Sequence, residues 1–253
     1  MTERRPFIAG NWKMFKTIRE AVETAGALVG HVSDAAGVDI MIAPNFTALA
    51  AVREVLQGSA VMLGGQNLHW APEGAFTGET SAGMLQDAGC RYVIVGHSER
   101  RQYFGETDET VNKKIRAALE CGLAPILCVG ETEKEREAKK TFSVLDKQIQ
   151  NGLKDLRSAD VGPMVIAYEP VWAIGTGKTA SREQAQEVHR FLRSLMESIF
   201  GNDLASAIRI QYGGSVKPNN IKALMEMPDV DGALVGGASL DAATFSQILH
   251  FQS

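Results

Sequence analysis

Eight short apolar runs recur along the chain, separated by longer stretches in which apolar and polar residues mix. The runs lie at residues 7–9, 38–43, 61–63, 92–95, 125–129, 164–168, 208–212 and 233–235. Most of them are continuously apolar rather than alternating, which is typical of parallel strands buried on both faces. The pattern therefore predicts eight parallel strands.

The stretches between the runs have the patterns of helices. One apolar helix face, with the spacing i, i+3, i+4, i+7, is formed by Val188, Phe191, Leu192, Leu195, Met196 and Ile199. Capping boxes predict three helix starts, at Thr17 with Glu20, at Thr132 with Glu135 and at Ser181 with Gln184. A helix after each strand requires right-handed crossovers between parallel strands.

The number of strand–helix units decides the architecture. Eight units close into a barrel, whereas fewer would leave an open, doubly wound sheet. The chain has 253 residues, close to the usual size of one such barrel, and no linker rich in Pro, Gly or Ser divides it. We therefore predict an α/β protein with a single (β/α)8 barrel domain over residues 1–253.

The charge and the cysteine content indicate which binding partners and which cellular compartment to expect. The formal net charge is -4 with both signs interspersed, which argues against a nucleic-acid-binding stripe or a membrane-surface helix, and no apolar run is long enough to span a bilayer. The three cysteines are odd in number and form no C-x-x-C pair, which favours a reducing compartment. Since the first residues also lack the apolar region of a secretory signal, we expect a cytoplasmic protein.

Polar and glycine-rich turns follow most of the apolar runs. In a barrel the carboxyl ends of the strands share one face, and that face carries the active site. The topology thus brings together Asn11, Lys13, His97, Glu169, Ser215 and Gly236. We expect the functional site there.

Two of these residues suit proton transfer. Glu169, between the sixth run and Pro170, is either a solvated loop carboxylate or a general base in a partly desolvated site. His97 follows the fourth run and is either structural or catalytic. The polar residues after it can open a short helix, whose N-terminus disfavours imidazolium, so we expect a neutral ring that donates to a substrate carbonyl.

Other positions suit an anionic substrate. Lys13 is either an ordinary surface lysine or a fixed positive charge for a phosphate and a developing oxyanion. Backbone N–H groups suit phosphate, and glycine-rich turns that present them occur at 213–215, 236–237 and 175–177. The first two follow the seventh and eighth strands, where barrels commonly bind phosphate.

Two loops call for separate hypotheses. Residues 175–179 superficially resemble a nucleotide-binding P-loop, but Trp172 stands where that pattern needs glycine, so we interpret the segment as a mobile lid beside Glu169. The connection Gln66–Gly83 is long for its position. It is either a floppy insertion or an arm that packs against another subunit, and exposed aromatic residues such as Trp70 and Phe76 would favour the arm.

Six segments together resemble the triosephosphate isomerase family, in the family's order from one end of the chain to the other. They are Ala9–Met14, Gly74–Glu79, Val95–Arg101, Ala167–Gly177, Tyr212–Val216 and Leu234–Leu240. The segments around His97 and Glu169 are highly specific, whereas the glycine pairs alone are not. The resemblance implies interconversion of dihydroxyacetone phosphate and D-glyceraldehyde 3-phosphate, in glycolysis and gluconeogenesis, without a cofactor.

The resemblance also assigns roles to residues. It implies that Glu169 moves a proton between C1 and C2 of the triose, that His97 relays protons at the two oxygens, and that Lys13 and Asn11 stabilise the charged enediolate. Backbone N–H groups at Gly175, Ser215, Gly236 and Gly237 are implied to hold the phosphate. A glutamate base paired with a neutral histidine is the general pattern described for this family. A homodimer is also implied, in which the loop around Thr77 reaches the neighbour near Asn11 and His97.

Phe15 departs from the family's usual Asn and leaves the local loop geometry open. Two other functions remain as alternatives: a Schiff-base aldolase that uses Lys13, and a non-catalytic sugar-phosphate-binding protein. No metal site is predicted, because the five histidines are scattered and no H-E-x-x-H motif occurs.

Overall fold

The computed structural model of the chain describes residues 4–32, 37–174 and 179–252. Eight parallel strands form a closed barrel, in which each strand pairs with the next along the chain and the last pairs with the first. They are β1 (Phe7–Asn11), β2 (Asp39–Ala43), β3 (Val61–Gly65), β4 (Tyr92–Val95), β5 (Ala124–Val129), β6 (Val165–Tyr168), β7 (Arg209–Tyr212) and β8 (Gly232–Val235). The predicted barrel is confirmed, and closure rules out the open sheet.

Helices occupy the connections between the strands. They are α1 (Ile18–His31), α2 (Leu49–Leu56), α3 (Ala82–Asp87), α4 (Ser98–Tyr103), α5 (Asp108–Glu120), α6 (Glu133–Glu137), α7 (Thr141–Gly152), α8 (Ser158–Val161), α9 (Arg182–Phe200), α10 (Asn202–Ala207), α11 (Ile221–Met225) and α12 (Ala242–Leu249). Short 3₁₀ helices lie at Phe46–Ala48, Val171–Ala173 and Gly237–Leu240. No helix in the described part of the chain is long and apolar enough to cross a membrane.

The helix signals in the sequence are confirmed. All three predicted capping boxes form, at the starts of α1, α6 and α9. In α9 the side chains of Val188, Leu192 and Met196 are buried, as the apolar spacing predicts. Phe191 and Leu195 are half-buried and pack against the core, whereas Ile199, near the end of the helix, is 40% exposed.

The apolar strands bury side chains on both faces of the sheet. In β5, Ile126 and Cys128 belong to the cluster that fills the barrel, whereas Leu127 and Val129 belong to the layer between strands and helices. Side chains alternate between faces along a strand, so a strand covered on both sides needs apolar residues at successive positions. This double burial explains the continuous apolar runs.

The long connection after β3 is structured and ends at Ser81, two residues before its predicted end at Gly83, because α3 already begins at Ala82. His69 N donates to Thr80 O at 2.8 Å, and a bridge pairs His69 with Ser81, so the two ends of the loop lie side by side. The His69 ring stacks on Trp70 and packs against Phe76, each with ring centroids 4.2 Å apart. The interpretation as a floppy insertion is therefore wrong.

Candidate active site

Glu169 directly follows β6 and is held there by its backbone. Its N–H donates to Val129 O at 2.8 Å, which continues the pairing of β5 with β6 by one residue. At Gly130 any side chain would overlap the Glu169 carbonyl oxygen, so only glycine allows this close approach. The side chain of Glu169 is 2% exposed.

The Glu169 carboxylate is engaged at both oxygens. Oε1 lies 2.9 Å from Nε2 of His97, and Oε2 accepts from the backbone N–H of Ser98 at 2.9 Å. Burial by itself raises the pKa of Glu169, but His97, the Ser98 N–H and Lys13 together hold it below its ordinary value. The protein without a ligand therefore carries an ionised carboxylate at neutral pH, as a general base requires.

His97 precedes α4 and is its N-cap residue. Its Nδ1 accepts from the backbone N–H of Glu99 at 3.2 Å, so the proton of a neutral ring lies on Nε2 and points at Glu169. The predicted short helix is confirmed. The predicted direction of the pKa shift is wrong, however: burial lowers the pKa of His97, but the carboxylates of Glu169 and Glu99 raise it further than burial lowers it.

Lys13 has an unusual backbone conformation. Its φ of 51° is in the left-handed region, which costs free energy for a residue with a side chain. Two side chains hold it there: Asn11 Oδ1 accepts from Lys13 N at 3.0 Å, and Gln66 Nε2 donates to Lys13 O at 2.8 Å. The Lys13 ammonium lies 2.5 Å from Oε1 of Glu99. The direct contact of Asn11 is therefore with the Lys13 backbone, whose left-handed conformation it stabilises.

A cleft of about 330 Å³ opens between these side chains at the carboxyl end of the barrel. Its lining includes the predicted site residues Asn11, Lys13, His97, Glu169, Ser215, Gly236 and Gly237. Gly236 lies so close to Lys13 that a Cβ there would be 3.3 Å from the lysine Cε. Of the predicted site residues, Gly175 lies outside the described part of the chain, as does the tip of the predicted lid.

Phe15 also lines the cleft and is 55% exposed. Its carbonyl oxygen accepts from Asn45 Nδ2 at 3.0 Å, and the capping box at Thr17 starts α1 just beyond it. The first loop is therefore well anchored although Asn is absent at position 15.

Four contributing residues are missing from the sequence prediction: Ser98, Glu99, Gln66 and Glu131. Glu131 is fully buried and accepts from the Tyr168 hydroxyl at 3.2 Å and from Trp172 Nε1 at 3.0 Å, so it anchors the residues on both sides of Glu169. It directly follows Gly130 at the end of the fifth apolar run, so the rule that selected Glu169 would also have selected Glu131. The other three also stand in polar turns just after the third and fourth strands, so their position at a strand end is the signal that could have marked them.

Cys128 lies beneath Glu169 on the inner face of β5 and is fully buried. Burial raises the pKa of its thiol well above the ordinary value, as does the neighbouring Glu169 carboxylate. The interpretation of Cys128 as a small buried apolar residue is confirmed. Within the described ranges, no group of three or more His, Cys, Asp or Glu side chains is arranged to hold a metal ion.

The fold and the site together define a class of protein. A closed parallel barrel carries a carboxylate, an imidazole and an ammonium group around one cleft at the carboxyl ends of its strands. In barrels of this kind that face is the catalytic one. The chain therefore has the architecture of a barrel enzyme equipped to move protons on a small anionic substrate.

Comparisons with known proteins give the family. A family model described as triosephosphate isomerase matches residues 6–252. Triosephosphate isomerases from Syntrophotalea carbinolica and Geobacter metallireducens are each 56% identical over 250 residues, which cover 99% of this chain and 99% and 100% of theirs. The crystal structure of triosephosphate isomerase from Bartonella henselae matches with a TM-score of 0.89 and 40% identity, over 98% of this chain and 99% of that chain. The chain belongs to the triosephosphate isomerase family.

The activity follows from this membership. The chain is an isomerase that interconverts dihydroxyacetone phosphate and D-glyceraldehyde 3-phosphate, a step of glycolysis. The comparisons give no support to the Schiff-base aldolase or to the non-catalytic sugar-phosphate-binding protein.

Proposed function

We propose that Glu169 is the base that moves a proton between C1 and C2 of the triose phosphate. The observation that carries this proposal is the 2.9 Å contact between Glu169 Oε1 and His97 Nε2 at the edge of the cleft. A carboxylate with a lowered pKa accepts the proton from carbon, and the Nε2–H of His97 donates to the oxygens of the substrate.

The resting contact between these two groups has a consequence for the reaction. While Glu169 accepts from His97 and Ser98, neither carboxylate oxygen is free to meet the substrate, and the Nε2–H of His97 is occupied. Substrate binding therefore has to replace this contact. Gly213 leaves room for the change, because a Cβ there would lie 2.9 Å from Glu169 Cγ.

Lys13 supplies the positive charge for the enediolate intermediate in this proposal. Its ammonium lies at the cleft and is partnered by Glu99, while Asn11 and Gln66 fix the backbone beneath it. A charge that is already in place needs no reorganisation when the oxyanion develops. Asn11 contributes by holding the Lys13 turn and by lining the cleft.

The phosphate is proposed to bind at the turns after β7 and β8. Ser215, Gly236 and Gly237 line the cleft on that side, and backbone N–H groups in such turns are preorganised for an anion. Gly175 is assigned to the same task on the resemblance alone. The cleft itself carries the base, the proton donor and the cation, so the proposed steps use no cofactor.

Two substitutions of Glu169 test the base. Glu169→Asp keeps the charge but draws the carboxylate back by one methylene, and Glu169→Gln removes the charge; we expect kcat in a coupled isomerase assay to fall on the order of 10²-fold or more in both. Glu226→Gln, a change at an exposed carboxylate far along the chain, is the matched control. Turnover like that of the parent chain in Glu169→Gln would remove Glu169 from the role of base.

We also propose that the protein is a homodimer that associates through the Gln66–Gly83 loop. Three neighbouring loops carry exposed apolar side chains: Met14 is 95% exposed, Phe76 46% and Phe46 39%. The loops adjoin one another, because Asn45 donates to carbonyls of the first loop and Gln66 donates to Lys13 O. Exposed apolar surface shared by adjoining loops is typical of a subunit interface.

Mass measurement tests the dimer. We expect light scattering to give about twice the 27.3 kDa of one chain, and we expect Phe76→Glu to lower that mass by placing a charge in the interface. Ile199→Glu is the matched control, because Ile199 is similarly exposed but lies on α9. A parent chain that sediments as a monomer at micromolar concentration would contradict the proposal.

The domain and the compartment are proposals of the same kind. Residues 1–253 are proposed to form one domain, for which a single cooperative unfolding transition is expected. A cytoplasmic location is supported by the cysteine pattern, with two buried free thiols and one half-buried thiol. Cell fractionation with the isomerase assay as readout tests it.

A further inference from the structure

Next to the backbone that leads into His97 lies an ion pair whose two residues do not line the cleft. Glu106 is 8% exposed and Lys114 is 5% exposed, and the Lys114 ammonium contacts Oε1 of Glu106. The same ammonium donates to Asn67 Oδ1 at 2.7 Å. The three side chains join the root of the Gln66–Gly83 loop to α5 and to the segment before it.

The second carboxylate oxygen of Glu106 reaches the residue before His97. Oε2 accepts from the backbone N–H of Gly96 at 3.0 Å. Gly96 has a φ of +75°, and its carbonyl oxygen accepts from Arg101 Nε at 2.8 Å. The backbone that leads into His97 is therefore held on both sides by charged side chains.

Stability alone does not account for this pair. A buried ion pair can often be replaced by apolar side chains of similar volume at little or no cost to stability, whereas removal of one partner alone is strongly destabilising. Burial lowers the pKa of Lys114, and Glu106 opposes that shift. An apolar pair would fill the same space, but it would leave the Gly96 N–H without an acceptor.

We propose that Glu106 is a positioning residue for His97, oriented by Lys114 and Asn67. Its carboxylate holds the Gly96 N–H, and the backbone so fixed sets where the His97 ring stands relative to the substrate oxygens. The inference rests on the proposed role of His97 as proton donor. It also connects the proposed subunit-contact loop, through Asn67, to the catalytic histidine.

Two double variants isolate the Gly96 hydrogen bond. Glu106→Leu with Lys114→Met removes the acceptor together with the buried ammonium, and the partly exposed Arg100, 3.4 Å from Glu106 Oε1, loses its carboxylate partner in both double variants alike. Glu106→Gln with Lys114→Met also removes both charges but keeps one amide oxygen for Gly96. We expect kcat to fall on the order of tenfold in the first double variant, with KM little changed, and to stay near that of the parent chain in the second.

A spectroscopic readout follows the ring itself. In ¹⁵N-labelled protein, the signals of His97 should retain a protonated Nε2 and an unprotonated Nδ1 in the Gln double variant and should shift or broaden in the Leu double variant. Glu109→Gln is the matched control on α5, because Glu109 pairs with Lys113 on the exposed side of that helix. It should change neither kcat nor the His97 signals.

Equal kcat values in the two double variants, whether high or low, would overturn the proposal. Glu106→Met takes the place of Glu106→Leu should that chain fail to fold. His97→Gln, assayed in parallel, separates this inference from the proposed function. If His97→Gln turns over like the parent chain, the assigned role of His97 is wrong; if it does not, the two double variants decide the role of Glu106.

Discussion

The two ends of the barrel use charged side chains in opposite ways. At the amino end, Arg193 donates to Asp229 at 2.7 Å, to Asp231 at 2.6 Å and to the carbonyl oxygens of Ala205 and Ile208. At the carboxyl end, His97 and Glu169 form a 2.9 Å pair beside an open cleft. A cavity adjoins each group, since Asp231 lines a second cleft of about 640 Å³, so vacant volume alone does not distinguish the two ends.

The difference lies in whether the partners can be exchanged. An arginine does not lose its proton in a protein, and the N–H groups of Arg193 all point to acceptors of the fold. Arg193 therefore holds together the segments that carry these acceptors. The carboxylate and imidazole at the other end can each gain or lose a proton and can turn from each other to a ligand. Satisfied, permanent charges stabilise one end, and exchangeable charges serve chemistry at the other.

The largest expected effect concerns the cleft cation. In Lys13→Met we expect kcat/KM to fall by about 10²–10³-fold, because the enediolate loses its preorganised positive charge. The free energy of unfolding should change little, since the pair with Glu99 is partly exposed. Steady-state kinetics beside urea unfolding checks both halves, and a large loss of stability with intact kinetics would reverse the comparison between the two ends.

The matching change at the amino end should lower stability and leave the kinetics unchanged. Arg193→Met removes the ion pairs with Asp229 and the nearly buried Asp231, although Arg4 still pairs with Asp231, so we expect the free energy of unfolding to fall by about 3 kcal/mol. The isomerase kcat, measured well below the unfolding temperature, should stay near that of the parent chain. Loss of kcat in a fully folded sample would show that the amino end also controls the chemistry.

A smaller effect is expected from crowding the base. Gly213→Ala places a Cβ 2.9 Å from Glu169 Cγ and 3.1 Å from Tyr168 O, so kcat should fall roughly tenfold through misplacement of the carboxylate. Gly30→Ala in α1 is the control, since a Cβ there meets nothing within 4 Å. An unchanged kcat in Gly213→Ala would mean that Glu169 does not need this space.

The pH dependence of stability is expected to depend on His189, which is fully buried and does not line the cleft. His189 lies 3.1 Å through Nδ1 from Asp229 O, and burial lowers its pKa to about 4. The unfolded chain binds this proton below about pH 6.5 while the folded chain does not, so stability is lost as pH falls from there toward 4. The slope should be about 1.4 kcal/mol per pH unit from this one group.

Replacement of His189 tests whether this side chain causes the loss of stability at low pH. His189→Asn keeps a donor for Asp229 O but cannot titrate, so the dependence of the unfolding free energy on pH should flatten between pH 6.5 and 4. Urea unfolding at several pH values measures it. The same slope in parent chain and variant would assign the acid sensitivity to other groups.

The strands and most residues of the site were predictable, because both depend on the order of neighbouring residues along the chain. Parallel strands buried on two sides need continuous apolar residues, and their carboxyl ends necessarily share one face, so Asn11, Lys13, His97 and Glu169 were found by position. Ile199 shows where local spacing fails as a predictor. The helical spacing predicts that its side chain is buried, but near the end of α9 it is exposed.

By itself the sequence determined the barrel, the order of its units and the identity of the groups around the cleft, because periodicity and strand ends are properties of neighbouring residues. Only the tertiary structure decided which side chains these groups contact. Glu99 meets Lys13 across 86 positions of the chain, and Asn67 meets Lys114 across 47. The pKa of His97 is raised rather than lowered because Glu169 folds against it from another strand. Charge–charge effects depend on distance in space, which a local pattern does not contain.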